Sequence, residues 1–364
     1  MGIFGRIDTF ITWFDGVVWG LPLIILILVT GIFLTVRLGL LQVRYLGKAL
    51  KFMVKNEEDG HGEVTSFGAL CTALSATIGT GNIVGVATAI SAGGPGALFW
   101  MILTAFLGMA TKYSEGLLAV KYRTIDEDGH VLGGPFYYIE KGMGKNFKWL
   151  AKLFCVFGTM VGLFGIGTFT QVNGITSAVN NFFDPSNVHT ISLFGMNYSI
   201  SVVVAGIIVT ICAGLVIIGG IKRISKVSEV IVPFMAVTYI GVCLIIVFTH
   251  LPQVPAAFAE IVQSAFGLKA VAGGAIGAMT VAMQKGIARG IFSNEAGLGS
   301  APIAAAAAQT NEPVRQGLVS MTGTFIDTII VCTMTGLAIV MTGAWDMGLE
   351  GVAVTTKAFA LGLP

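Results

Sequence analysis

The chain has 364 residues, of which 55% are hydrophobic and only 11% are charged, and its mean hydropathy is +0.85. Water-soluble domains carry about 25% charged residues, so this composition excludes a soluble protein and indicates one that lies in a lipid bilayer. The formal net charge of +2 offers no basic surface of the kind that binds nucleic acid. We therefore expect an all-α membrane protein whose partners are lipid and small solutes, with no nucleic acid among them.

A helix that crosses a membrane needs about 20 mostly apolar residues. The sequence contains eight stretches of that kind, at residues 17–36, 66–92, 97–120, 153–180, 198–221, 229–249, 270–305 and 316–343. A ninth apolar stretch begins near residue 352, and the sequence reaches Pro364 before this stretch is long enough to cross. We therefore expect a multi-pass protein, and either the chain is truncated at its C-terminal end or its last segment does not span.

Lys and Arg residues are divided unequally between the two sets of connecting loops. Fifteen of them lie in the loops after the first, third, fifth and seventh stretches, and three lie in the loops of the other side. Because short loops rich in Lys and Arg stay in the cytoplasm, we expect the N-terminus to lie outside the cell membrane.

The sequence offers little for enzymatic chemistry. The five cysteines have no paired spacing, and the four histidines lie in loops or at the ends of the apolar stretches. The HExxH zinc motif and a GxSxG motif with a catalytic partner are both absent from the sequence. We therefore expect no cofactor and no enzyme.

Two apolar stretches contain glycines that weaken the helix. The stretch 66–92 includes Gly79-Thr80-Gly81-Asn82, and the stretch 270–305 opens with Gly273 and Gly274 and resumes at Gly286. Each glycine destabilises a helix by about 1 kcal/mol, so both helices are predicted to be interrupted. Unwound backbone is tolerated in a bilayer only where it is buried in protein or lines a cavity.

The spacing of these two helices has a consequence for topology. Five helices separate the start of the first interrupted helix from the start of the second, and five is odd, so the second enters the membrane from the opposite side. Paired interrupted helices at matching positions of inverted halves indicate a transporter with a binding site near the midplane.

Three segments resemble known transporters. The stretch from Ser75 to Asn82 is similar to the broken first core helix of LeuT-type transporters. The signature of the alanine/glycine:cation symporter family resembles two further segments, Gly93-Gly94-Pro95-Gly96-Ala97-Leu98-Phe99-Trp100-Met101 and Gly290-Ile291-Phe292-Ser293-Asn294-Glu295-Ala296-Gly297-Leu298-Gly299-Ser300-Ala301-Pro302. The likeness runs over nearly the whole chain.

The resemblance implies a LeuT-type five-plus-five inverted-repeat helix bundle with one extra N-terminal helix. A single transmembrane domain would then cover residues 1–364. Its parts would be the extra helix and a cytoplasmic loop at 1–64, the first repeat at 65–250 and an incomplete second repeat at 266–364. The activity implied is sodium-driven uptake of alanine or glycine by alternating access, with sodium as the co-transported ion.

The first break is expected to bind both substrate and ion. Backbone N–H groups of Gly79, Thr80, Gly81 and Asn82 would be free to bind the substrate carboxylate. By family likeness, one sodium would bind the Thr77 carbonyl and the Asn82 side chain, and a second would bind the carbonyls of Ser75 and Ile78.

Two other helices are expected to complete the substrate cavity. Gln171 and Asn173 would bind either the substrate or another helix. The second interrupted helix would supply freed carbonyls and limit the space for a side chain, through Gly273, Gly274, Ile276, Gly277, Met279 and Thr280.

Several alternatives remain open at this point. Asp327, the one acid near the middle of a span, is either a buried hydrogen-bonding group or part of a proton relay. A proton-coupled amino-acid permease of the same architecture is the closest rival to sodium coupling. A channel would also have broken helices, although it would not need an inverted pair.

Overall fold

The computed structural model describes residues 3–18, 20–55, 60–165, 167–193, 195–268 and 274–364. The α-helices are α1 (Ile3–Val18), α2 (Leu21–Arg37), α3 (Leu41–Arg44), α4 (Leu46–Val54), α5 (Ser66–Thr77), α6 (Val86–Gly93), α7 (Gly96–Tyr122), α8 (Pro135–Met143), α9 (Lys148–Leu163), α10 (Thr168–Phe183), α11 (Ile200–Ile217), α12 (Gly220–Thr249), α13 (Val254–Ala265), α14 (Ala275–Asn294), α15 (Ala301–Ala306), α16 (Pro313–Thr324), α17 (Thr333–Met341) and α18 (Val352–Gly362). Two π-helices occur, at Gly81–Gly85 and Phe325–Cys332, and 3₁₀ turns occur at Lys145–Phe147, Leu251–Gln253 and Ala344–Asp346. Two antiparallel hairpins pair β1 (Thr124–Ile125) with β2 (Val131–Leu132) and β3 (Thr190–Leu193) with β4 (Met196–Ser199).

The helical, multi-pass membrane architecture predicted from the sequence is confirmed. Within the described residues, six helical stretches are long and apolar enough to cross a membrane, namely Gly5–Arg37, Gly96–Tyr122, Lys145–Phe183, Ile200–Ile217, Gly220–Thr249 and Pro313–Met341. A seventh is added if α5 and the Gly81–Gly93 helix, which meet at a bend of 53°, form one broken span. The described part of the predicted span 270–305 is not among these stretches. Its main helix, α14, carries polar residues along its length, which lowers its hydropathy.

Two boundaries differ from the prediction. The stretch 153–180, predicted as one helix, is divided into α9 and α10 by a turn in which Gly165 (φ 62°) and Gly167 (φ 87°) adopt the left-handed conformation. Glycine enters that region without a steric penalty, so the chain can leave the helix there. The connection predicted at 222–228 is helical instead, because α12 already begins at Gly220.

α7 is the helix against which the interior of the molecule packs, and glycines set how closely its neighbours approach. A Cβ atom added at Gly286 of α14 would lie 2.2 Å from the carbonyl oxygen of Ala97. One added at Gly116 of α7 would lie 2.3 Å from the hydroxyl oxygen of Ser320 on α16. In a membrane, small residues at such contacts allow the close packing that holds helices together.

At the C-terminal end of α7, one arginine joins two distant segments. The Nη1 atom of Arg123 donates to the carbonyls of Ala306 and Ala308, both at 2.7 Å. The Nη2 atom donates to the carbonyls of His61 at 2.5 Å and Thr310 at 2.7 Å. A parallel β-bridge between Val64 and Ala308 joins the same segments. The chain before α5 is thereby fixed to the chain after α15.

This contact predicts that Arg123→Ala lowers the free energy of unfolding by about 2–4 kcal/mol, because hydrogen bonds from a charged donor contribute about 1.5–3 kcal/mol each and are not additive. Thermal unfolding of the purified protein in detergent measures the change. Lys121→Ala is the matched control, since Lys121 is exposed and its ammonium lies only over the ring of Tyr122. Equal melting temperatures for the two variants would contradict the contact.

Candidate functional site

The first predicted break is present. α5 ends at Thr77, and Ile78 has the extended conformation φ −75°, ψ 112°. The chain turns through 53° and continues as the π-helix Gly81–Gly85 and then α6. The prediction that the helix from residue 66 is broken near Gly79 is therefore confirmed.

At the break, side chains replace the usual helical partners of two backbone N–H groups. In a continuous α-helix the N–H of Gly79 would bond the carbonyl of Ser75. It donates instead to Oδ1 of Asn82 at 2.8 Å, and the N–H of Thr80 donates to Oε1 of Gln171 at 3.0 Å. Carbonyls in the last turn of α5 therefore lose the N–H groups that they would bond in a continuous helix. Such carbonyls are the oxygen ligands that the sequence analysis expects for sodium.

Gln171 lies on α10, which packs directly against the break. A Cβ added at Gly79 would lie 2.6 Å from Oε1 of Gln171, and one added at Gly174 would lie 2.8 Å from Cγ2 of Thr80. The structure thus brings Gln171 to the break, where it bonds another helix, one of the two roles that the sequence left open. Asn173, two residues further on, is exposed.

Asn82 connects the first break to two other helices. Its Nδ2 atom donates to Oδ1 of Asp327 at 2.8 Å and to the hydroxyl of Ser293 at 3.2 Å. The carbonyl oxygen of Asp327 at 3.1 Å and Sγ of Cys332 at 3.3 Å also surround this nitrogen. Asn82 is only 1% exposed. One amide nitrogen therefore lies at the centre of four acceptor atoms.

Asp327 is the charged member of this polar cluster, which we call the Asn82–Asp327 cluster (Asn82, Ser293, Asp327, Thr328 and Cys332). Its Oδ2 accepts from the hydroxyl of Ser293 at 2.8 Å and from that of Thr328 at 2.7 Å. With the Asn82 amide on Oδ1, three donors point at a carboxylate that is fully buried. No cation lies within ion-pair distance among the described residues, so its negative charge is uncompensated at close range.

Both π-helices take part in the Asn82–Asp327 cluster. Asn82 lies on the first, and Asp327 and Cys332 lie on the second. A π-helix displaces carbonyls from the regular ladder and occurs frequently at functional sites. Here the displacement leaves the carbonyl of Asp327 able to accept from Asn82.

The second predicted break lies elsewhere than expected. α14 is continuous from Ala275 to Asn294, so the predicted interruption between Gly274 and Gly286 is wrong. Gly286 and Gly290 are packing residues: a Cβ on either would meet α7, at Ala97 and Met101 respectively. The chain leaves the helix only after Asn294.

This second break runs from residue 295 to residue 300, between α14 and α15. Glu295 (φ 53°), Gly297 (φ 91°) and Gly299 (φ 82°) all adopt the left-handed conformation there. Ser293, the last buried hydroxyl before it, belongs to the Asn82–Asp327 cluster. The two breaks therefore meet.

The described residues among those predicted at the start of the second interrupted helix do not border the second break. Gly273 lies outside the described residues. Ile276 is 76% exposed, and no atom lies within 4 Å of a Cβ added at Gly277. Gly274 is exposed, Met279 is half-buried, and Thr280 donates to the carbonyl of Ile276 at 2.7 Å. At 1.5 Å per residue, Ile276 lies about 25 Å along α14 from Ser293.

The predicted sodium ligands lie on both sides of the break. Ser75 is exposed and its hydroxyl donates to the carbonyl of Thr72 at 2.7 Å, whereas Ile78 is buried. Thr77 lines a cavity of about 20 Å³, with room for one water molecule, between α5, α7, α15 and α16. The cavity also touches Lys112, whose ammonium donates to the carbonyl of Asn294 at 2.9 Å.

Sequence reasoning missed Ser293 and Cys332 as members of the cluster. Ser293 lies in Gly290–Pro302, one of the segments that resemble the family signature. Its contact with Asn82 could not be predicted, because the two residues are far apart in the chain. Among the described residues no group of three His, Cys, Asp or Glu side chains is placed to hold a metal ion.

Gly79→Ala tests the close contact at the first break. The added methyl would displace the Gln171 carboxamide from the Thr80 N–H, and overpacking of this kind costs about 1–3 kcal/mol, so the melting temperature should fall. Gly85→Ala, six residues further along, is the control, because no atom lies within 4 Å of the added Cβ. Equal melting temperatures of the two variants would show that Gln171 does not fill the break.

Comparison with known proteins identifies a family of transporters. Residues 5–364 match the sodium:alanine symporter family. An uncharacterized transporter of Haemophilus influenzae is 58% identical over 359 residues, which make up 98% of this chain and 75% of that protein. The sodium/alanine symporter AgcS of Methanococcus maripaludis is 47% identical over 355 residues, 95% of this chain and 74% of AgcS. The amino-acid carrier protein AlsT of Bacillus subtilis is 38% identical over 329 residues, 90% of this chain and 65% of AlsT. These are transporters and not enzymes, and the chain belongs to the sodium:alanine symporter family.

Proposed function

We propose that this protein imports alanine or glycine across the cell membrane together with sodium, by alternating access. The observation that carries the proposal is the first break, where the N–H of Thr80 binds the amide oxygen of Gln171. A substrate carboxylate needs the same kind of donor, at the same unwound backbone, and the second half of the broken helix presents its positive dipole end there.

The proposed architecture is the LeuT-type five-plus-five inverted repeat preceded by one extra helix, with the N-terminus outside. In this arrangement residues 65–250 form the first repeat and residues 266–364 belong to the second, after the extra helix and loop at 1–64. Two interrupted helices that contact each other through Asn82 and Ser293, close to their breaks, are what an inverted pair should produce, and they support this topology.

The proposed substrate site consists of Gly79, Thr80, Gly81, Asn82 and Gln171. The Gln171 carboxamide would leave the Thr80 N–H when a carboxylate arrives and would then donate to the carboxylate through its own NH₂ group. Space beside the break is limited, because α10 packs closely on it and a Cβ added at Gly174 would lie 2.8 Å from Cγ2 of Thr80. A substrate with a small side chain, such as alanine or glycine, fits this constraint better than leucine. We leave Asn173 and the α14 residues from Gly274 to Thr280 out of the site, since they do not border the break.

We propose that the coupling sodium binds beside Asn82, at the Asn82–Asp327 cluster. The buried carboxylate of Asp327 has no cation within ion-pair distance among the described residues, and an uncompensated buried charge is costly, so the cluster should attract a cation. Oxygen atoms of Asp327 and Ser293 are suitable ligands, and the Thr77 carbonyl and the Asn82 amide oxygen would join them once the amide turns. Carbonyls of Ser75 and Ile78 are the proposed ligands of a second sodium.

Uptake of labelled alanine into proteoliposomes tests the function. An inward sodium gradient should drive accumulation, and replacement of sodium by potassium should abolish it. Excess glycine should reduce the uptake of labelled alanine, whereas excess leucine should not. Accumulation driven by an inward proton gradient without sodium would instead favour the proton-coupled alternative, and no uptake under any gradient would contradict both.

Gln171 and Asn173 offer a matched pair for the same assay. Gln171→Ala removes the side chain that contacts the break and should reduce alanine uptake at least about tenfold, because a substrate hydrogen bond from a buried group contributes about 1–3 kcal/mol. Asn173→Ala alters an exposed side chain on the same helix and should leave uptake unchanged. Equal uptake by the two variants would remove Gln171 from the proposed site.

A further inference from the structure

Glu115 is a buried carboxyl group beside the second break, and the substrate and sodium sites do not use it. It lies on α7 and is 8% exposed. Its Oε1 atom accepts from the N–H of Gly299 at 3.2 Å. Gly299 stands in the left-handed conformation two residues before α15. Glu115 therefore holds the segment 295–300 against α7.

The second oxygen of this carboxyl group has no hydrogen-bond partner among the described residues. The hydroxyl of Thr111, one helical turn earlier on α7, is likewise buried without a partner in this part of the structure. Thr111 also faces the second break, because its Cγ2 atom would lie 3.8 Å from a Cβ added at Gly297. Two unsatisfied oxygens thus lie on side chains one turn apart on the same helix.

The charged and titratable groups that interact with Glu115 come from three elements. Lys112 lies on α7 itself, Glu295 lies in the second break, and Tyr138 lies on α8. The ammonium of Lys112 donates to the carbonyl of Asn294, and no ion pair between Lys112 and Glu115 forms within 4 Å. Glu115 therefore has a like charge nearby in Glu295 and no direct salt bridge to offset its burial.

An ionised carboxylate in this position would leave one buried oxygen unpaired, and a buried unpaired charge is expensive. A sodium ion is a poor remedy, because hard cations collect several oxygen ligands and the neighbouring Lys112 would repel it. A proton is a good remedy, since a neutral carboxyl group keeps Oε1 as an acceptor for Gly299 and removes the buried negative charge.

We propose that Glu115 is a proton-binding site: its Oε2 carries a proton while the segment 295–300 is docked on α7. The proton comes from water and returns to water when the segment moves away and exposes the carboxyl group. The inference rests on the proposed transport cycle only for that second step, because alternating access requires the broken helices to move.

Infrared spectroscopy of the purified protein tests the first step without any transport. The carbonyl stretch of a protonated carboxylic acid should be present at neutral pH, and Glu115→Gln should remove the equivalent of one carboxyl group from that band. Glu140→Gln is the control, since it changes a half-exposed carboxyl group that pairs with Lys148 and does not interact with Glu115, so it should leave the band intact. A spectrum that Glu115→Gln does not change would overturn the proposal.

Alanine uptake measured against pH at a fixed sodium gradient tests the second step. The glutamine side chain mimics the neutral acid, so Glu115→Gln should fold, transport alanine and lose the pH dependence that the wild type and Glu140→Gln share. A pH-independent wild type would overturn the step, and so would a Glu115→Gln variant that keeps the wild-type profile. Loss of sodium dependence in place of pH dependence would make Glu115 a sodium ligand and would equally overturn it. Absence of sodium-driven uptake in the wild type would refute the proposed function, and the infrared result would still stand.

Discussion

Backbone that leaves its helix inside a membrane must find other hydrogen-bond partners, because the surrounding lipid supplies none. In this protein the two unwound segments are satisfied by buried side chains from elsewhere in the chain. Asn82 occupies the central position, since its oxygen accepts from Gly79 at the first break while its nitrogen reaches Asp327 and Ser293. Gln171 serves the first break from α10, and Glu115 serves the second from α7. The position of each break therefore depends on the other, and an ion that enters the Asn82–Asp327 cluster acts on both.

Close packing around α7 makes this arrangement possible. Glycines at the contacts with α14 and α16 let these helices approach α7 closely, and polar groups of α14 and the two π-helices bond one another directly. At the C-terminal end of the same helix, Arg123 binds carbonyls from the chain before α5 and the chain after α15. Arg123 thus holds the start of the first broken helix beside the end of the second. Close to their breaks, the two helices are joined by the contact between Asn82 and Ser293. Movement of one broken helix must displace or carry the other.

Local sequence was enough to predict the first break and not the second. At Gly79 and Gly81 the glycines are accompanied by Thr80 and Asn82, whose polar groups would lack partners in a regular helix. At the second helix the glycines misled: Gly286 and Gly290 serve packing against α7, and the chain turns at Glu295, a residue type with no special preference for the left-handed conformation. Gln171 was predicted because it is a polar residue in a span. The contacts of Asn82 with Ser293 and Asp327 were not predicted, because these residues lie 211 and 245 positions from Asn82, and contacts at that separation leave no local pattern.

The central claim is that the Asn82–Asp327 cluster binds the ion that drives substrate binding. The most direct measurement is the sodium concentration needed for half-maximal alanine binding in Asp327→Asn, compared with the wild type. Removal of the negative charge should raise that concentration at least about tenfold, which corresponds to about 1.4 kcal/mol, while the neighbouring hydroxyls of Ser293 and Thr328 can turn to accept from the new amide. A variant that folds, binds alanine and needs no more sodium than the wild type would place the coupling ion elsewhere and contradict this account.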